Sequence, residues 1–232
     1  DLWQRCNALG YSGFLTVESL RAPALFAWAA TANIGNSFFR QFARVPDYHG
    51  NGQHDALVRG RLSLHLRAYA FGKPRVFLGD ELISSEVWQS AKAKELLFYL
   101  LANPGPATKE RVMVDLWPDA NTANANNNFH TSVYRLRNAI HPAAVVFDDN
   151  GYRINPDLQV WFDLKEFFDK VRLAQGLSAG TKQRAEALED ALQLCDGDLF
   201  EDFYSEWAET IKRQADTLYL STLSTLAGFY AA

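Results

Sequence analysis

The stretch at 124–141, NANNNFHTSVYRLRNAIH, gathers amides, hydroxyls, a phenol, two guanidinium groups and two imidazoles, with no carboxylate. On a wheel of about 100° per residue, Phe129, Val133, Leu136 and Ile140 fall in one stripe, which predicts an amphipathic helix with that stripe inward. The opposite arc carries Asn124, Asn127, Thr131, Tyr134, Arg135 and Asn138, with His130, Arg137 and His141 on one flank. Asparagine is a mediocre helix former because its side chain competes for the backbone. The density of asparagines therefore has two readings. One is a loop leading into a helix, capped by Asn124 or Asn126. The other is a surface that faces something read by hydrogen bonds. A solvated helix face in an acidic protein ordinarily mixes Glu with Lys, and this arc does not. Asn can hold adenine N6 and N7, Arg can grip guanine, and Thr offers a methyl to thymine. That chemistry belongs to the base edges of duplex DNA, and the N-terminal half of such a helix is the end shown to the major groove.

Other cations extend the pattern, each with an ordinary alternative. Lys92 and Lys94 fall in the first turn of a helix, where the dipole disfavours lysine. A phosphate clamp explains that placement, and so does plain solvent exposure. Lys109 and Arg111 read as phosphate contacts or as a solvated helix start. Arg153 either reaches a groove or the DNA backbone, or pairs with Asp148 or Asp149. Trp88 and Trp117 read as packing rather than base stacking. No phosphate-binding Gly-rich loop, His-Glu-x-x-His or Gly-x-Ser-x-Gly occurs, so no catalytic residues and no cofactor are expected. Asp196, Asp198 and Asp202 in DGDLFEDF lack Ca²⁺-loop spacing and read as a connection between helices. Cys6 and Cys195 lack metal-ligand spacing, so no metal is expected. Free thiols point to a reducing cytoplasm.

The elements that would hold these residues follow from period and punctuation. LSLHLRAYAF and RVFLGDELIS alternate about a Gly79-Asp80 turn, which predicts a small antiparallel sheet. SAKAKELLFYLLANPG predicts a helix capped at Ser90 and stopped at Asn103-Pro104-Gly105. TKERVMVDLWPDA predicts a second, capped by Thr108, with Val112, Leu116 and Trp117 inward. The Asn-rich helix is the third. VVFDDNGYRI then reads as a hairpin with Asn150-Gly151 in its turn. Three helices closed by a hairpin describe a winged helix-turn-helix. FDLKEFFDKVRLAQ, TKQRAEALEDALQLC and YSEWAETIKRQADTLYLSTLSTLAGFY add three amphipathic helices, as in an incomplete helical repeat array. The fold class expected is mainly α with small β. Residues 1–60, with short helical patches at APALFAWAATAN and NSFFRQFARV, end in a linker at PDYHGNGQHD. They read as the tail of an upstream region. Residues 61–160 read as the winged-helix domain and 161–232 as the helical domain. Both ends read as cuts through a longer protein, and the N-terminus lacks the pattern of a signal peptide.

The net charge of −4 sits unevenly. Residues 158–232 carry thirteen acidic against seven basic groups, whereas residues 61–157 carry ten against eleven. That middle segment permits a local basic face. No run of eighteen apolar residues exists, so no membrane span is expected.

AKAKELLFYLLANPG, LWPDA, NNNFHTSVYRLRNAI and VVFDDNGYRI, in that order, resemble the OmpR-like winged helix of the SARP-type bacterial transcription regulators. WFDLKEFFDKVRLAQ and ALEDALQLCDGDLFEDFYSEWAE resemble the bacterial transcriptional activator domain that follows it, a tetratricopeptide-like module. The likeness covers about residues 62–232. It implies that the helix 123–141 enters the major groove, that the wing touches the minor groove or backbone, and that Arg135-Leu136-Arg137 matches the family pattern. As partners it implies double-stranded DNA, RNA polymerase and a second copy on direct repeats. The competing reading is a protein-interaction module, with a winged helix that has lost DNA binding and helical repeats that hold a partner.

Overall fold

The computed structural model describes residues 65–149 and 151–231. The readings made on residues 1–60, on the first residues of LSLHLRAYAF and on Asn150 lie outside them. The described residues fall within one compact unit, Leu62–Ala232.

The chain enters through β1 (His65–Tyr69), β2 (Arg75–Leu78) and β3 (Glu81–Leu82). β1 alternates as its sequence predicts, with Leu66 and Ala68 buried. β1 and β2 pair antiparallel, Leu66 opposite Leu78 and Tyr69 opposite Arg75. Gly79, at φ 61°, supplies the positive-φ position of the β2–β3 turn. One strand escaped the sequence reading. β6 (Gln159–Phe162) returns to lie parallel to β1, His65 opposite Gln159, so the sheet order is β3-β2-β1-β6. QVWF is too short to signal its pairing locally, and its partner lies some ninety residues upstream.

After a single turn, α1 (Ser85–Trp88), come α2 (Ala91–Ala102), α3 (Lys109–Leu116) and α4 (Thr122–Ala139). Thr108 caps α3 as expected, its hydroxyl accepting from Arg111 N. α4 begins earlier than expected. Its cap is Asn121, which accepts from Asn124 N at 2.9 Å, so neither Asn124 nor Asn126 caps it. Those two stand inside the helix. Ser90 occupies the cap position of α2 without a side-chain bond.

The hairpin β4 (Val145–Asp148) and β5 (Gly151–Ile154) closes the group, but its turn is shifted by one residue. Asp148 pairs with Gly151, which places Gly151 in the strand, and Asp149 takes φ 45°. Gly151 is required for space instead: a Cβ there would stand 2.6 Å from Pro106 Cβ. Pro106 precedes Ala107, which bridges Tyr152 with reciprocal backbone bonds of 2.9 and 2.8 Å. The wing is thus pinned to the α2–α3 connection.

α5 (Asp163–Gln175), α6 (Lys182–Leu192) and α7 (Glu206–Tyr230) follow. They are not a detached body. Asp163, buried at the join of β6 and α5, accepts backbone N–H from Ala70 with both oxygens at 2.8 Å and from Phe71 at 3.1 Å. The DGDLFEDF stretch zips along the same edge, with Gly72 N donating to Asp198 O and Phe200 N to Ala70 O. Gly72 and Gly197 face one another so closely that a Cβ on Gly197 would meet Gly72 Cα at 3.2 Å. This loop is a clasp between sheet and helices. Among the described residues no group of three or more His, Cys, Asp or Glu is placed to hold a metal.

α2 lies in the centre. Phe98 sits against Phe162, Phe200 and Phe203, and Tyr99 meets Trp207 edge-on at 5.3 Å. Leu96, Leu97 and Leu100 are buried as well. Aromatic burial on this scale dominates core energetics. Among the described residues no helix is long and apolar enough to cross a membrane.

Candidate nucleic-acid interface

α4 packs against α1, α2 and α3 through Ala125, Phe129, Ser132, Val133, Leu136 and Ala139, all buried. Ile140, at its C-cap, is buried too. The predicted stripe is therefore the inward one. Phe129 extends the contact to the wing, edge-on to Tyr152 at 4.8 Å, and Tyr152 in turn meets Phe147 at 4.9 Å. That aromatic chain sets the hairpin's position beside α4.

The opposite arc stands in solvent. Asn124, Asn127, Thr131 and Asn138 are exposed, Tyr134 keeps 49% of its surface, and Arg135 is half-buried. None of these side chains bonds to another described residue. α4 carries no Asp or Glu from end to end. The arc therefore offers amide, hydroxyl and guanidinium groups whose hydrogen-bonding capacity is unspent.

The flanks differ from the arc. On one, Arg137 donates through Nε and Nη2 to Val145 O at 3.3 and 2.7 Å, tying α4 to β4. His141 accepts from Ala143 N at 3.1 Å and so finishes the helix end; burial holds its imidazole below the ordinary pKa. His130 is exposed on this flank. Partial burial and the Lys109 ammonium both hold it below the ordinary value, which favours the neutral ring. Lys109 donates to Asn126 Oδ1 at 3.0 Å. Arg135 closes the arc at its other edge. Charge-bearing groups thus border both sides of a polar, acid-free strip.

Other cations singled out in the sequence are placed elsewhere. Lys92 pairs with Glu95 at 2.8 Å and donates to Ser205 Oγ at 3.2 Å. Lys94 donates to Pro74 O at 3.1 Å, with burial lowering its pKa and Asp202 opposing that shift. Both face the sheet and the helical segment, not the α4 arc. Arg153 is gripped by Asp148 through Nε and Nη2, the pairing its sequence neighbours allowed. Arg111 is exposed, with Asp115 at 3.8 Å. On the wing the large exposed side chain is Phe147, at 51%. Asn128 and Phe147 are exposed here without having been singled out in the sequence, and Asn126, weighed there only as a cap, is bonded to Lys109. Asn128 follows Asn127 in the chain, but at about 100° per residue it falls just outside the arc.

The chain shares its fold with a solved structure titled as Mycobacterium tuberculosis EmbR in complex with a low affinity phosphopeptide. The TM-score is 0.60 at 19% identity, over 72% of this chain. The match spans 45% of that chain, so this chain corresponds to less than half of its length. No protein-family model matches the sequence, and no curated protein matches it significantly. What the likeness carries is the architecture: a mainly helical chain with small sheets, consistent with a winged helix followed by a helical domain.

Proposed function

We propose that this chain is a sequence-specific regulator of transcription that binds double-stranded DNA. In this reading α4 lies in the major groove, and residues 61–160 act as an OmpR-like winged helix of the SARP type. Residues 161–232 act as the tetratricopeptide-like activator domain behind it. One observation supports the reading above others: the outer arc of α4 is acid-free, largely exposed and, among the described residues, free of side-chain bonds. Asn124, Asn127, Thr131, Tyr134 and Asn138 are the base readers, with Arg135 bridging base edge and backbone. Lys109, Arg111 and His130 contact phosphate. Lys92, Lys94 and Arg153 remain in the proposal only as second-rank contacts, since each already has an internal partner. The function is binding rather than catalysis, and RNA polymerase and a second copy on direct repeats are the further partners it implies.

Selection of bound duplexes from a random pool by the purified chain tests this. A defined motif should emerge, and log affinity for it should fall linearly with log salt, with a slope of several phosphate contacts. Recovery of no motif, with affinity flat in salt, overturns the reading and favours a protein-interaction module.

A further inference from the structure

Asn126 differs from its neighbours in the asparagine run. Asn124, Asn127 and Asn128 are exposed, whereas Asn126 is half-buried and already bonded. Its partner Lys109 opens α3, where the helix dipole disfavours an ammonium. Arg67, Lys92, Arg153, Lys165 and Lys212 are each met by a carboxylate. Lys109 is instead held by a neutral amide oxygen, and among the described residues it has no ion pair. Its charge is therefore fixed in place without being neutralised, and its two remaining N–H bonds point elsewhere. One turn along α4, at i+4 from Asn126, stands His130, exposed and close enough to feel that charge. Among the described residues neither group is paired with a carboxylate, although Glu110 follows Lys109 in the chain and acts on Tyr152 of the wing; two such cation-capable groups are suited to an anion. The acid-free arc of α4 adjoins them on the same surface.

We propose that Asn126 is a positioning residue that holds Lys109 beside His130 as a clamp for one backbone phosphate of duplex DNA. This rests on the DNA-binding reading and separates two jobs within one asparagine run. Asn126 faces α3 and sets the grip, while Asn124 and Asn127 face the bases. An amide suits the first job for a specific reason. A carboxylate at 126 would hold Lys109 more tightly, yet would cancel its charge and repel the phosphate.

That asymmetry gives the test. Affinities for the selected duplex and for a random duplex are measured across a salt series for the unchanged chain. The same series is run on N126A, N126D, K109Q and N126A/K109Q, each with its thermal melt. N126A and K109Q should each weaken both duplexes alike, by about three- to tenfold, and lower the salt slope, by about one for K109Q. The double variant should be no weaker than K109Q alone. N126D should melt no lower than N126A and bind DNA more weakly. If N126D binds as the unchanged chain does, or N126A weakens only the selected duplex, the clamp is wrong while DNA binding stands. Multiplying losses in the double variant have the same meaning. Inorganic phosphate that displaces the duplex at matched ionic strength makes the site a free-anion pocket, which also overturns it. Failure of the unchanged chain to bind any duplex removes both the clamp and the reading beneath it.

Discussion

α2 and α4 are both helices in which the sequence places polar groups, and the fold treats them in opposite ways. α2 is buried on nearly every side, and its polar groups are consumed internally. Glu95, 6% exposed, receives Lys92, Ser205 Oγ and Trp207 Nε1, which joins α2 to the start of α7. α4 buries one stripe and leaves its polar arc without side-chain partners among the described residues. A polar side chain is available to a partner only when the protein has not already used it, and that is decided by what packs across from it. A buried polar group without a bond is costly, so α2 had to satisfy its own. The α4 arc, open to solvent, did not.

The sharpest way to break this contrast is Glu95→Ala. It strips Lys92, Ser205 and Trp207 of a shared acceptor and should cost about 3 kcal/mol of stability. That lies at the low end for a broken buried pair, because Lys92 keeps 38% of its side chain in solvent. Denaturant unfolding measures it, and a loss below about 1 kcal/mol would mean α2 is less committed than its contacts indicate. On α4 the reverse is expected. Asn127→Ala and Thr131→Ala should leave the melt within about 0.5 kcal/mol, as surface changes do. Each should cost about 1–3 kcal/mol of binding at the selected duplex and relax its sequence preference. Equal losses on random DNA would erase the distinction between reading and positioning.

The caps give a smaller comparison. Asn121→Ala removes the bond to Asn124 N and should cost about 1 kcal/mol. Ser90→Ala, at a cap with no side-chain bond, should cost less than half of that. Thermal melts of the two variants rank them, and a reversed order would refute the assignment of the α4 start.

A further effect is proton-linked. His130 has a folded pKa below its ordinary value, through burial first and Lys109 second. The contribution of its neutral ring to stability is present above the unfolded value and lost as pH falls through the folded one. In the proposed complex a DNA phosphate beside it would reverse the preference for the neutral form, so binding would take up a proton. Affinity should rise as pH is lowered from 8 to 6, by less than tenfold per unit for one proton. His130→Asn should flatten that part of the profile, and an unchanged slope would remove His130 from the interface.

Much of this was legible in the chain itself. The inward stripe of α4, the Thr108 cap, the Gly79 turn, the hairpin and helices α2 and α3 all follow from signals within a few residues of one another, because period and capping are local. The exposed arc was legible for the same reason: a single amphipathic period assigns both faces of a helix. What the sequence left open depends on partners far along the chain. β6 needs β1, Lys92 needs Glu95 and Ser205, and Lys109 needs Asn126 on another helix. Gly151 reads as a turn residue until Pro106 is seen against it. Local periodicity determined which residues face out. Only the tertiary structure decided which outward cations were already bonded, since a charge's availability is a property of its neighbours in space and not of its own residue type.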